Sequence, residues 1–313
     1  MVTPYAFLFP GQGSQAPGMG KGFAEAFPES RAVFAEADEA LGAPLSRTCF
    51  EGTDAELART ETTQPAILTV SIAALRALAG RVDAPVALAG HSLGEYSAHV
   101  AAGTFSFADA VRTVRLRGRF MQEAVPEGEG SMAAILGLEL PVLERICGEV
   151  ADGEVVAPAN LNAPGQTVIA GHAGAVRRAS ERAVAAGARK AIALPVSAPF
   201  HCSLMAPAAR RLEEVLAGVP FAPPRVPVLA NVDASRVTEA DAARSTLVRQ
   251  VTAPVRWMDL VQALGASGVR TFVEVGPGRV LAGLVKRILE GARVLNVGEP
   301  GDVDKVARDL GGA

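Results

Sequence analysis

The sequence predicts an α/β protein: a mostly parallel sheet covered by helices on both faces, with a second, smaller sheet domain inserted into it. Three observations predict this. Short apolar runs, Tyr5-Ala6-Phe7-Leu8-Phe9 and Pro85-Val86-Ala87-Leu88-Ala89, alternate with helical tracts, as expected of strands hidden on both faces. Between residues 131 and 194 the runs read strand, helix, strand, strand, helix, strand, the βαββαβ order of a ferredoxin-like unit. Turn-forming segments bracket that stretch, Pro126-Glu127-Gly128-Glu129-Gly130 before it and residues 195–199 after it.

Taken in order, the first strand ends at Pro10-Gly11, and a long helical tract follows over residues 22–41. Residues 65–78 form an apolar helix. The second strand leads through a glycine-flanked turn to a helix over 95–102, with Gly103 placed as its C-terminal cap. In the insert, strands are expected at 131–137, 154–159, 166–170 and 189–194, with helices at 141–150 and 173–186. A helix at 206–217, a proline-rich loop at 220–227, and strands at 228–230 and 271–275 return the chain to the main sheet. The expected division is a discontinuous large domain, residues 1–126 and 199–313, around a small domain at 127–198.

The chain has 313 residues, 49% of them hydrophobic and 20% charged, the balance of a folded protein with a sizeable core. A formal net charge of −3 argues against nucleic acid as a partner. The three cysteines, Cys49, Cys147 and Cys202, are widely spaced and form no CxxC pair, so neither a disulfide framework nor a zinc site is expected. The N-terminus lacks the signature of a signal peptide and no apolar run is long enough to span a membrane. These features predict a cytoplasmic protein.

The chemistry centres on Gly90-His91-Ser92-Leu93-Gly94. A G-x-S-x-G motif between a buried strand and a helix lifts the serine hydroxyl above the sheet edge on a sharp turn. The helix N-terminus supplies free N–H groups for a developing oxyanion, and the amide of Leu93 is the first such donor. A serine needs a base, and there are four histidines. His91 adjoins the serine on a tight turn and points away; His99 lies two turns along the helix, about 10 Å off; His172 follows a strand of the insert. Elimination leaves His201, where the chain re-enters the main domain. No Asp or Glu announces itself as a third member, and a backbone carbonyl serves equally well to fix the imidazole tautomer. Phe9-Pro10-Gly11-Gln12-Gly13-Ser14-Gln15 follows the first strand, and its Gln12 amide is a candidate second oxyanion donor. Gly18-Met19-Gly20-Lys21-Gly22 and Gly276-Pro277-Gly278 lack the spacing of phosphate or dinucleotide loops. Arginines recur at 115, 117 and 119 of a helix, and spacing alone does not single out Arg117.

Five ordered segments, Phe9 to Gln15, Gly90-His91-Ser92-Leu93-Gly94-Glu95-Tyr96, Arg117-Gly118-Arg119-Phe120-Met121, Asn160 to Gln166 and Glu274-Val275-Gly276-Pro277-Gly278, together resemble the malonyl-CoA:acyl carrier protein transacylases of type II fatty acid synthesis. The resemblance covers essentially the whole chain. It implies an α/β-hydrolase-like core with a ferredoxin-like insert, malonyl-CoA as substrate, acyl carrier protein as partner and no permanently bound cofactor. It implies that Ser92 is acylated, His201 is its base, and the Gln12 and Leu93 amides form the oxyanion hole. Arg117 then holds the substrate's free carboxylate, Asn160 and Asn162 lie in the substrate site, and a carbonyl of Gln250 orients His201. Arg189, Lys190, Lys286 and Arg287 are basic candidates for docking an acidic carrier. Phe200, beside His201, departs from the serine of many stand-alone members and resembles malonyl-selective polyketide acyltransferases, so an α-methyl branch should be crowded out and a polyketide role stays open. An acyl-thioester hydrolase and a non-catalytic carrier-binding scaffold are the readings from other classes.

Overall fold

The central sheet begins at Tyr5–Phe9 (β1), every residue of which is buried. A computed structural model of the chain describes residues 4–196 and 198–311; residues 1–3 of the N-terminal stretch, Ser197 of the 195–199 linker and residues 312–313 lie outside the described residues. After β1 come α1 (Lys21–Ala26), α2 (Pro28–Leu41), α3 (Leu45–Glu51), α4 (Asp54–Ala58), α5 (Thr60–Leu78), β2 (Ala87–Gly90), α6 (Gly94–Ala102) and α7 (Phe107–Glu123). The middle of the chain forms β3 (Gly130–Leu136), α8 (Leu140–Val150), β4 (Val156–Ala163), β5 (Gln166–His172), α9 (Ala173–Ala185) and β6 (Lys190–Ala193). It closes with α10 (Ala206–Ala217), β7 (Val228–Leu229), β8 (Arg236–Val237), α11 (Ala240–Arg249), α12 (Trp257–Ala266), β9 (Thr271–Val275), α13 (Val280–Ile288), β10 (Arg293–Val297) and α14 (Pro300–Asp309).

Two sheets result. The larger has the order β10-β9-β1-β2-β7-β8, parallel except for β8 at one edge. Its loops after β1, β2 and β7 therefore leave from the same, carboxyl end of three adjacent strands, where open α/β sheets place their ligands. The smaller sheet has the order β4-β5-β3-β6 and is antiparallel throughout, which is the ferredoxin-like arrangement of βαββαβ. Its core closes through Leu143 and Ile146 of α8 and Val176 and Ala183 of α9 against Ile135 and Ile169. Val255, on the segment leading into α12, bridges β4 of the small sheet by donating to the Ala159 carbonyl and accepting from the Leu161 amide, both at 2.9 Å.

Of the expected elements, three differ most in extent or continuity. The tract at 22–41 is two helices, because Pro28 opens α2 and forces Phe27 to an extended conformation (φ −128°, ψ 116°). The helix expected from Pro65 starts five residues earlier, at Thr60, and carries Pro65 inside it. Strand β4 runs to Ala163, past the expected end at 159, because pairing to β5 continues through two register shifts.

Candidate active site

Strand β2 passes into α6 through Ser92, whose φ of 50° lies in the left-handed region. That conformation is uncommon for a side-chain-bearing residue and costs about 1–3 kcal/mol, so the surroundings must hold it. The motif's glycines make the close approach possible. A Cβ on Gly90 would stand 1.9 Å from the Gly94 carbonyl carbon, and one on Gly94 2.1 Å from the Phe9 carbonyl oxygen. Asn231, just after β7, clamps the turn from the side. Its Oδ1 accepts from the Ser92 amide at 2.6 Å and its Nδ2 donates to the Gly90 carbonyl at 2.7 Å.

His201 arrives from the segment that follows β6, itself at φ 61°. Its Nε2 lies 2.7 Å from Ser92 Oγ, and its Nδ1 lies 2.9 Å from the backbone carbonyl of Gln250. A carbonyl only accepts, so Nδ1 carries the proton and Nε2 turns its lone pair to the serine. Burial, assisted by the positive charge of Arg117, pulls the His201 pKa down to about 3, which keeps the ring neutral and able to take a proton. The other histidines stand elsewhere: His91 Nε2 pairs with Asn162 Oδ1 at 2.9 Å, His99 Nδ1 with Thr104 Oγ1 at 3.1 Å, and His172 Nδ1 accepts from the Val155 amide at 2.9 Å.

Arg117 projects from α7 and is 1% exposed. Its Nη1 donates to Gln64 Oε1 at 2.8 Å; its Nη2 donates to Gln250 Oε1 at 2.8 Å and to Ser92 Oγ at 3.1 Å. Among the described residues its Nε has no hydrogen-bond partner. Among the described residues no carboxylate lies within 4.0 Å of this guanidinium. A buried cation is thus held by neutral oxygens beside the serine, an arrangement that favours an incoming anion.

Ser92, His201, Arg117, Gln12, Leu93, Asn160 and Phe200 all border one cavity of about 100 Å³. The Gln12 and Leu93 amides donate to no protein acceptor among the described residues. Asn162 does not border the cavity: its amide is taken by His91, behind the elbow. A larger cleft, about 480 Å³, lies among Phe7, Leu75, Leu88 and Val226, toward the amino end of β2 and away from the serine; its lining has no serine, cysteine or histidine. The basic pairs 189–190 and 286–287 are exposed and converge on one rim of the small sheet. Leu136 pairs with both Gln166 and Lys190, and Arg287 Nη1 donates to Gln166 Oε1 at 2.6 Å.

Three residues were missed by sequence reasoning. Asn231 lies in an unremarkable Ala-Asn-Val-Asp turn and carries no signal. Gln64 opens an otherwise apolar helical stretch, and a polar group bordering such a run was a usable sign. Glu95 immediately follows the G-x-S-x-G motif and is 0% exposed, although a helix's first turn ordinarily presents its carboxylate to water.

Residues 6–307 match the family model described as acyl transferase domain. The chain is 51% identical over 300 residues to the malonyl CoA-acyl carrier protein transacylase of Escherichia coli strain K12, covering 96% of this chain and 97% of the relative. The solved structure of the malonyl CoA-acyl carrier protein transacylase from Coxiella burnetii superposes with a TM-score of 0.97 at 42% identity, covering 99% of each chain. A type II polyketide synthase malonyl-transacylase, solved in complex with its acyl-carrier protein, superposes with a TM-score of 0.96 at 46% identity over 98% of this chain and 99% of that one. The elbow serine in contact with an imidazole, carried on a fold shared from end to end with these enzymes, places the chain in the acyl transferase domain family.

Proposed function

We propose that this protein transfers a malonyl group from malonyl-CoA to the phosphopantetheine thiol of an acyl carrier protein, through a malonyl ester on Ser92, in fatty acid biosynthesis. The observation that carries the reading is the buried guanidinium of Arg117, without a carboxylate partner, 3.1 Å from Ser92 Oγ. His201 Nε2 takes the hydroxyl proton as Ser92 Oγ attacks the thioester carbonyl. The Gln12 and Leu93 amides receive the oxyanion. The tetrahedral intermediate collapses with loss of CoA thiolate, which takes the proton from His201. The carrier's thiol then repeats the sequence in reverse, its proton passing through His201 and back to Ser92, which gives ping-pong kinetics. The Gln250 carbonyl keeps the imidazole in the required tautomer and so does the work of the absent carboxylate.

Arg117 selects acyl groups that end in a carboxylate, since a planar guanidinium holds one in two places. Phe200, 8% exposed and against the cavity, leaves little room for an α-methyl branch. Asn160 supports the acyl chain from the seam between the sheets; Asn162 acts behind it, on His91. The rim formed by Arg189, Lys190, Lys286 and Arg287 docks the acidic carrier. It lies about 14 Å beyond Met132 in the cavity wall, four strand residues away, a span suited to a long prosthetic arm. Residues 127–198 act as an inserted domain whose rim presents the carrier and whose base walls the cavity, against the discontinuous domain of 1–126 and 199–313. Among the described residues no helix is long and apolar enough to cross a membrane, and Cys49, Cys147 and Cys202 are buried free thiols, which supports a place in the reducing cytoplasm.

A trans-acting polyketide malonyltransferase is the second reading, favoured by Phe200 and by the likeness to the polyketide transacylase. Intact mass after mixing with malonyl-CoA tests the proposal. One malonyl unit is expected, absent in Ser92→Ala and weak with acetyl-CoA. Malonate release without an adduct identifies a hydrolase, and neither product identifies a scaffold. Transfer rates to fatty acid and polyketide carriers separate the two pathways.

A further inference from the structure

The steps above make no use of Glu95, a buried carboxylate in the first turn of α6, three residues beyond Ser92. Its Oε2 accepts two hydrogen bonds, from the Asn231 backbone amide at 3.0 Å and from Gln250 Nε2 at 2.6 Å, while its Oε1 has no partner among the described residues. Each donor has a second task. The Asn231 side chain brackets the elbow at Gly90 and Ser92. The Gln250 side chain also donates to the Ser92 carbonyl at 3.0 Å and accepts from Arg117 at 2.8 Å.

The orientation of the Gln250 amide is therefore decisive. Flipped by half a turn, it would set its NH₂ against the guanidinium, donor against donor. A carboxyl oxygen that carries no proton only accepts, so Glu95 Oε2, together with the Ser92 carbonyl, holds the NH₂ end and leaves the amide oxygen to face Arg117. Burial without a formal ion pair raises the Glu95 pKa to about 7; the two hydrogen bonds and Arg117 oppose that rise.

We propose that Glu95 is a positioning residue: through the Gln250 amide and the Asn231 backbone it sets the direction in which Arg117 meets the acyl carboxylate, and so sharpens the choice of acyl group. This rests on the malonyl-transfer reading. Two variants separate reach from charge. Glu95→Gln can put its amide oxygen where Oε2 stands and its NH₂ in the unpartnered position, keeping both bonds without the charge. Glu95→Asp keeps the charge but falls one methylene short.

The test measures rates of Ser92 loading by malonyl-CoA and acetyl-CoA in each variant, with thermal melts to confirm folding. Glu95→Gln is expected to keep the wild-type ratio. Glu95→Asp is expected to lower it about tenfold, as on losing one hydrogen bond to a charged group, mainly through malonyl loading. An unchanged ratio in Glu95→Asp, or a loss confined to Glu95→Gln, overturns the proposal. Should Glu95→Asp fail to fold, Gln250→Leu removes the amide while leaving the backbone carbonyl for His201; a retained ratio there overturns it equally. If the wild type shows no preference for malonyl, the functional reading itself has failed, which is a separate result.

Discussion

Replacing Arg117 by alanine tests acyl-group choice most directly, and its effect follows from the cavity's hydrogen bonds. The guanidinium is 1% exposed and donates to Gln64 and Gln250 at 2.8 Å each and to Ser92 Oγ at 3.1 Å. A malonyl carboxylate adds charge-assisted bonds to this cation, each worth about 1.5–3 kcal/mol. Two such bonds correspond to about 10²–10⁴-fold in kcat/KM for loading. Acetyl makes neither bond. The truncation also strips Gln64 Oε1 and Gln250 Oε1 of their donor, at about 1–3 kcal/mol each, but that penalty falls on the fold and on both acyl groups alike. The ratio of malonyl to acetyl loading therefore isolates the carboxylate contact. Single-turnover loading followed by intact mass, with both thioesters, should show this ratio collapsing in Arg117→Ala. Arg117→Lys, which keeps a charge but not a fork, should fall between. A folded Arg117→Ala protein that acylates Ser92 with the wild-type ratio would refute the reasoning.

Other outcomes can be checked independently. Burial holds the His99 pKa at about 3 against an ordinary 6.5. Its folded form resists protonation, so its contribution is present above pH 6.5 and is lost as pH falls toward 3. His99→Leu should shrink the drop in unfolding free energy between pH 7 and pH 5 by about 2 kcal/mol; an unchanged drop in urea titrations would show the imidazole is not depressed. For His201, also held at about 3 with Arg117 as the second cause, the acid limb of loading kcat/KM should lie well below pH 6.5. Once a malonyl carboxylate offsets Arg117, the acid limb for transfer from the acyl-enzyme should move upward; coincident limbs in the two pH profiles would contradict this. Phe200→Ser should raise methylmalonyl loading relative to malonyl, and continued exclusion would assign branch rejection to another wall. Lys286→Glu with Arg287→Glu should raise KM for the carrier while Ser92 loading stays unchanged, with the difference shrinking at high salt. Equal loss in both steps would mean a structural effect of breaking the Arg287–Gln166 contact.

The legible parts of this protein were those carried by local physics. Runs such as Tyr5–Phe9 and Ala87–Gly90 are apolar on both faces, and a strand buried on both sides needs no partner named to be recognised. The insert was readable because its periods switch from two to 3.6 and back in a known order. Some of the illegible parts were short or lay at edges. Strand β10 is half exposed and mixes Arg and Asn with its apolar residues, so it carries little pattern of its own; pairing with β9 makes it a strand. The break at Phe27 is signalled by Pro28 but masked by apolar spacing that continues across it.

For the site, the elbow and, by elimination among four histidines, the imidazole brought to it are readable from the residues alone. The elbow is readable because glycines at 90 and 94 are a local steric requirement. What stands around Ser92 comes from long-range packing. His201 is 109 residues away, and Gln250 is 158 residues from the serine carbonyl that its amide holds. Nor did any local pattern mark Arg117 out from Arg115 and Arg119 on the same helix. That distinction belongs to the packing of α7, which turns Arg117 inward onto Gln64 and Gln250 and leaves Arg119 outside with Glu123. Propensity and periodicity act over a few residues, whereas a buried charge is located by which distant acceptors the folded chain assembles around it.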